Sequence, residues 1–509
     1  MTQDVQSSNT TGRQWLGLLG GVGAFAVLLL LPPPEGMSLA AWRTAAVAAL
    51  MGVWWITEAV DLTVTAFVPL FLFPVLDILP ASAVSSAYAG QIVFLFFGAF
   101  FLALATERWG LHRRVALWIV SRIGGSPRLL LLGFFGTTAL LSMWMSNTAS
   151  TVVMLPIALA ILTHIEAQGY DTNSGFGTAL ILGMAYSASI GGVSTPVGTP
   201  PNAVFLGAFE NLFPDAPNIG FLYWMLFGVP TAVVMLVCLW IYLVYIVFRL
   251  PTTGWQEDQT FLAQQIQDLG PMSRPERRVL LLFAITALLW MFRTDLPLGP
   301  ITIPGWVNLF PAPANIKDST VAMFMATLLF VIPTGEGKGS CLLDRTIFER
   351  MPWGILVLLG GSLALAQGVG SSGLARWIGT QLDFLQNLSP LSAIVAVCSL
   401  LVGLTEFTSN TATTTLMMPV LAATATGMKI DPLLLMIPAT FAASFAFMLP
   451  TATAPNAIVF ASRRVTLPQM FWIGLGLNIV GVLVLPILLY LIGVPVFGIS
   501  VSEQPSWVP

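Results

Sequence analysis

Two stretches decide the fold: Ser142-Met143-Trp144-Met145-Ser146-Asn147-Thr148-Ala149, inside the apolar run 128–165, and Thr405-Glu406-Phe407-Thr408-Ser409-Asn410-Thr411-Ala412, inside the apolar run 388–426. The triplet Ser-Asn-Thr recurs at an offset of 263 residues, and so do Pro156 and Pro419, each ten residues beyond its serine. Upstream, Gly110-Leu111 and Gly373-Leu374 share the same offset. Downstream, Pro201-Asn202-Ala203 recurs as Pro455-Asn456-Ala457 at an offset of 254. The triplet alone carries little, since Ser8-Asn9-Thr10 sits in the polar N-terminus. A polar triplet found twice within apolar sequence, followed each time by a second interrupted apolar segment, is the mark of an internal duplication.

The surroundings of these breaks are lipid-like. The 509-residue chain is 56% hydrophobic and 8% charged, with a mean hydropathy of +0.86. Soluble globular chains carry about 25% charged residues, so this chain cannot cover a water-facing surface of its size. Its apolar runs approach the ~20 residues that cross a bilayer. The composition therefore defines an all-α polytopic membrane protein. A net charge of −3 gives no footing for a nucleic-acid partner. Cys238, Cys341 and Cys398 are scattered and form neither a disulfide framework nor a metal spacing. With His112 and His164 as the only histidines, a zinc or haem site and a membrane-embedded enzyme are both unsupported, and no cofactor is expected. No ring of charges suggests a channel filter.

A polar tail, 1–14, precedes a first span at 15–31. A first repeat occupies 32–250, with a re-entrant hairpin at about 126–165. A linker at 251–275 leads to a second repeat, 276–497, with a hairpin at about 388–426, and a tail at 498–509 ends the chain. Ordinary spans are read at 40–56, 62–79, 92–105, 221–247, 279–291, 321–332, 353–366 and 470–492. Amphipathic interfacial helices are read at 107–122 and 373–383. Arg249, Arg274, Arg277 and Arg278, and then Lys338, Arg345 and Arg350, mark cytoplasmic loops; the intervening loop has only Arg293 and Lys317. The N-terminus is then cytoplasmic. Five crossings separate the two hairpins, which places them on opposite sides of the membrane in an inverted-topology repeat. Discontinuous helices at matching positions of two halves point to a carrier's binding site.

The chemistry of the breaks suits an anion together with a hard cation. Backbone that leaves a helix at membrane depth must be satisfied by protein, water or ligand. Unpaired N–H groups at a helix start favour anions. Ser, Asn and Thr cap such starts and donate to a carboxylate. Unpaired carbonyls and asparagine side-chain oxygens suit a cation. No Lys or Arg lies in the four breaks, so bound cations would complete the neutralisation of a dianion and couple the two ligands. Glu58, Asp61 and Glu406 are acids in or near the membrane, divided between structural pairing and ion coupling.

These residues resemble the divalent anion:sodium symporters, the family of INDY-type, Na⁺/dicarboxylate and Na⁺/citrate carriers. The doubled triplet at 146–148 and 409–411 carries the resemblance, together with 55–59, 107–114, 444–450 and 454–460. It extends over about 54–492. It implies eleven transmembrane helices plus two re-entrant hairpins, arranged as scaffold and transport domains of an elevator-type homodimer in the cell membrane. It further implies that Ser146, Asn147, Thr148, Thr199, Ser409, Asn410, Thr411 and Thr453 hold the substrate carboxylates. One sodium would lie with Ser142, Met145, Asn147 and Gly198, and another with Thr405, Thr408, Asn410 and Ala452. The family's usual Thr-Pro-Pro-Asn reads Thr453-Ala454-Pro455-Asn456 here, which should loosen that turn. The expected function is Na⁺-coupled symport of C4 dicarboxylates; a sodium-independent exchanger, or a citrate or sulfate carrier, are the alternatives.

Overall fold

A computed structural model describes residues 12–123, 126–169, 175–251, 259–298, 301–335, 340–381, 388–501 and 503–508. About three quarters of them are helical. Among the described residues, six stretches are long and apolar enough to cross a membrane: Leu39–Thr57, Ala81–Arg108, Asn147–Ala167, Phe221–Val247, Trp353–Ser371 and Leu467–Phe497. Shorter apolar helices, including four of the eight arms of the broken elements, complete the bundle.

Four pairs of helices are broken where the sequence turns polar. The first pair is Pro127–Ser142 with Asn147–Ala167, and the second is Phe176–Gly192 with Pro200–Leu212. The third is Pro390–Thr405 with Asn410–Gly427, and the fourth is Leu433–Ala443 with Ala454–Ala461. Each restart follows a helix-starting pattern. Ser146 caps its helix by accepting from Ala149 N at 3.2 Å, and Thr453 accepts from Asn456 N at 3.3 Å. Proline occupies the first turn of both Pro200–Leu212 and Ala454–Ala461, where no N–H is required.

The first arms of the second and fourth pairs lie in the interior. Every residue of Phe176–Gly192 and of Leu433–Ala443 is buried, as expected for helices that are apolar on all faces. Close approach explains two glycines in this region. A Cβ on Gly191 would meet the Ala139 carbonyl oxygen at 2.3 Å, and one on Gly192 would meet Asn147 Oδ1 at 2.4 Å. The first pair can therefore lie directly on the end of Phe176–Gly192.

Several sequence expectations need correction. The stretch read as one span at 62–79 is two helices, Leu62–Thr65 and Val68–Val75, and a further helix, Ala81–Tyr88, follows. Pro69 and Pro74 interrupt the N–H ladder that a continuous helix needs. Glu107 and Arg108 end the preceding helix, Gln91–Arg108, so the amphipathic helix is Leu111–Ile123; Gly110, at φ 70, makes the turn between them. The second amphipathic piece is Leu374–Gln381, and 382–383 lie outside the described residues. The 251–275 linker contains a helix, Gln259–Asp268, and the next helix starts at Arg274, ahead of the expected 279. There Ser273 and Glu276 form a reciprocal cap. A small antiparallel pairing of Leu296–Leu298 with Ile301–Ile303 was not anticipated.

Charges fasten the edges of this bundle. Arg114 on the amphipathic helix pairs with the buried Glu276 at 2.8 Å and donates to the Gly270 carbonyl at 2.9 Å. Arg293 pairs with Asp318 at 2.5 Å. Hydrogen bonds from Arg108 and Thr346 hold the Asp344 carboxyl well below the usual carboxylate range.

Candidate functional site

The four breaks meet around one cavity of about 560 Å³. Of the residues singled out in the sequence, Ser146, Asn147, Thr148, Gly198, Thr199, Thr408, Ser409, Asn410, Thr411, Ala452 and Thr453 line it. The two triplets, 263 residues apart in sequence, thus belong to one wall system. Ser142, Met145 and Thr405 do not line the cavity. They are buried behind it, and Ser142 and Thr405 reach it through the two asparagines.

The main contacts behind the cavity recur in the two halves. Ser142 Oγ donates to Asn147 Oδ1 at 2.7 Å; at the equivalent position, Thr405 Oγ1 lies 2.6 Å from Asn410 Oδ1. Thr405 Oγ1 is also 2.7 Å from the Ala443 carbonyl oxygen. A hydroxyl has one proton, so it cannot satisfy both acceptors, and an oxygen lone pair is left over. Asn202 Nδ2 donates to the Gly192 and Thr195 carbonyls at 3.2 and 2.7 Å. Asn456 Nδ2 does the same to Ala446 and Leu449, both at 3.0 Å. Each amide staples its break to a fixed shape. Asn202 Oδ1 and Asn456 Oδ1 are buried without a hydrogen-bond partner, so oxygens also accumulate symmetrically here.

The supports differ between the two halves. Thr195 Oγ1 donates to the Met143 carbonyl at 2.5 Å, and the Trp224 indole donates to the Val193 carbonyl at 2.9 Å. In the second half, Glu406 stands at the position equivalent to Met143. Its carboxylate accepts from Phe447 N at 2.8 Å, Met448 N at 3.0 Å and Leu449 N at 3.1 Å, and from Asn478 Nδ2 at 2.7 Å. Sequence reasoning flagged Glu406 and missed both Asn478 and Thr195. An asparagine in the middle of the run 470–492 was a readable signal, since a polar amide at membrane depth needs a partner. The other two suspected acids divide. Asp61 caps Leu62–Thr65 by accepting from Thr63 N at 2.8 Å, whereas Glu58 lines the cavity.

A helical membrane bundle whose paired breaks close around one polar cavity belongs to the class of membrane carriers. More narrowly, the chain belongs to the family described as the sodium:sulfate symporter transmembrane region, which matches residues 12–499. It is 39% identical over 496 residues to the sodium-dependent dicarboxylate transporter SdcS of Staphylococcus saprophyticus, covering 96% of this chain and 93% of that protein. It is 38% identical, over the same coverage, to SdcS of Staphylococcus aureus strain bovine RF122 / ET3-1. In fold it is similar to the Alcanivorax borkumensis YdaH transporter, with a TM-score of 0.56 at 14% identity, covering 95% of this chain and 99% of that one. It is also similar to Neisseria gonorrhoeae MtrF, with a TM-score of 0.59 at 13% identity and 97% of each chain covered. The family and its relatives are transporters, in agreement with the reading as a carrier and not an enzyme.

Proposed function

We propose that this protein carries a C4 dicarboxylate such as succinate, malate or fumarate across the cell membrane together with sodium. One observation carries the reading: both Ser-Asn-Thr triplets face a single cavity, and oxygen-rich clusters stand directly behind each asparagine. The hydroxyls, amides and helix-start N–H groups suit two carboxylates. Ser142, Met145, Asn147 and Gly198 would hold one sodium, and Thr405, Thr408, Asn410 and Ala452 the other. Among the described residues no Lys or Arg lines the cavity, so sodium supplies the positive charge that the dianion needs. Binding of either then strengthens binding of the other. The names of the similar SdcS proteins support both ligands. Eleven spans with two re-entrant hairpins, a cytoplasmic N-terminus, and a homodimer in which a transport domain slides against a scaffold complete this reading.

The test is uptake of labelled succinate into proteoliposomes under an inward sodium gradient, and with potassium in its place. Uptake that requires sodium and that, at a sodium concentration just sufficient for the parent, is lost in Asn147→Ala and Asn410→Ala is the expected result. Uptake indifferent to sodium but dependent on internal dicarboxylate would make the protein an exchanger. No succinate uptake by folded protein would overturn the dicarboxylate assignment and direct the assay to citrate and sulfate.

A further inference from the structure

Among the described residues, Glu58 is the one charged side chain lining the cavity. It follows the helix Leu39–Thr57 as its C-terminal cap, in the left-handed conformation, φ 50 and ψ 32. Two local rules disfavour glutamate there. The left-handed position after a helix usually goes to glycine, because a Cβ crowds the next carbonyl. A carboxylate beside the unpaired carbonyls of a helix end also opposes the helix dipole, which favours a cation. The surroundings impose the conformation nonetheless. The Trp55 indole donates to the Leu62 carbonyl at 3.1 Å, and Thr57 Oγ1 donates to Val53 at 2.6 Å. The neighbouring helix packs so closely that a Cβ on Gly17 would lie 2.3 Å from Thr57 Oγ1. Of the five non-glycine residues with positive φ among the described residues, Glu58 alone lines the cavity; Asp77, Arg249, Lys429 and Arg463 do not. Glu58 is exposed and forms no ion pair among the described residues.

A residue kept against its own backbone preference, and aimed into a site, points to a use. We infer that Glu58 is a specificity- and release-setting residue, a fixed negative charge that weakens the hold on the dicarboxylate and so speeds its departure. The inference rests on the dicarboxylate reading above. A unit charge about 10 Å from a dianion in a water-filled cavity changes affinity roughly fourfold, and more where the local dielectric is lower. The same charge favours sodium, so it separates the two ligands: the anion is pushed out while the cation is retained.

Two substitutions test this on the full-length protein in detergent. Glu58→Gln removes the charge and keeps the backbone; Glu58→Gly removes the charge and relieves the strain. Succinate binding is measured by calorimetry in saturating sodium chloride, with and without added choline chloride. Both variants should bind succinate about three- to tenfold more tightly than the parent. The gap should narrow as choline chloride screens the charge. Glu58→Gly should unfold at or above the parental temperature, and in proteoliposomes both variants should show a lowered kcat together with a lowered KM. A carboxylate that served only local structure would give unchanged affinities, and that result overturns the inference. Weaker binding in Glu58→Gln also overturns it, because Glu58 would then be contributing contacts to the bound state. A parent that binds no succinate in sodium would overturn the dicarboxylate reading, and this inference with it. A parent that binds, with variants that match it, overturns this inference alone.

Discussion

The two halves of the molecule build the same site and brace it with different chemistry. The asparagine staples and the hydroxyl–amide contacts behind the triplets coincide, yet the first half is tied by a threonine hydroxyl and an indole, and the second by a buried carboxylate. Residues 193–199 of the first half are all buried, whereas Thr451 and Ala454 in the second half are exposed to the cavity. A buried break can rely on packing and single hydrogen bonds. An exposed one needs a multidentate acceptor that gathers successive N–H groups. Charge-assisted hydrogen bonds are about twice as strong as neutral ones, so the second half concentrates in Glu406 what the first distributes over its packing.

That contrast should be easiest to break at Glu406. Glu406→Ala leaves three backbone N–H groups and the Asn478 amide without their acceptor, at a cost on the order of 3–5 kcal/mol. A large fall in the detergent unfolding temperature and loss of uptake are expected. Met143→Ala, its counterpart, leaves the Thr195 bond to the backbone intact and should cost about 1–2 kcal/mol at most. Equal losses in the two variants would show that the halves are braced alike.

Asn147→Ala and Asn410→Ala come next. Each removes an oxygen from the clusters behind the cavity and should raise the sodium concentration for half-maximal uptake roughly ten- to hundredfold. The larger shift is expected for Asn410→Ala, since Thr405 there is shared with the Ala443 carbonyl. Sodium titrations of initial uptake rates compare the pair. Thr195→Val loses one neutral hydrogen bond and should destabilise by about 1 kcal/mol, read from thermal unfolding. The smallest effect belongs to Ala454→Pro, which restores the proline found at Pro200 in the first half. At the first helical position it should stabilise by about 0.4–1 kcal/mol, with uptake preserved.

How far the sequence foretold all this depended on contrast. Ser146-Asn147-Thr148 and its twin stand out because polar residues are rare in an apolar run, and every helix break around the cavity fell where they and Pro201-Asn202 or Pro455-Asn456 predicted. The break between Leu62–Thr65 and Val68–Val75 lacks such contrast: its neighbours are apolar, and only Pro69 hinted at it. The bond from Asn478 to Glu406 spans 72 residues, and that from Thr195 to Met143 spans 52. Neither pairing has a local pattern, so only the folded chain brings the partners together. Glu58 was visible as an acid near a membrane; its left-handed backbone was not, because tertiary packing imposes it against the residue's own preference.

The unequal offsets of the repeat have a practical meaning. Nine more residues separate Ser146 from Asn202 than separate Ser409 from Asn456, while the spacings inside each stapled break are identical. Growth was accepted along the outgoing helix and its return, and nowhere across the oxygens. The helix Asn147–Ala167 has 21 residues, so at ~1.5 Å per residue its far end lies about 30 Å from the cavity. The end of that helix, near Ala167, is therefore a natural handle: an epitope or fluorophore grafted there should report on the protein without touching its chemistry, whereas one added residue between Gly192 and Asn202 should silence it.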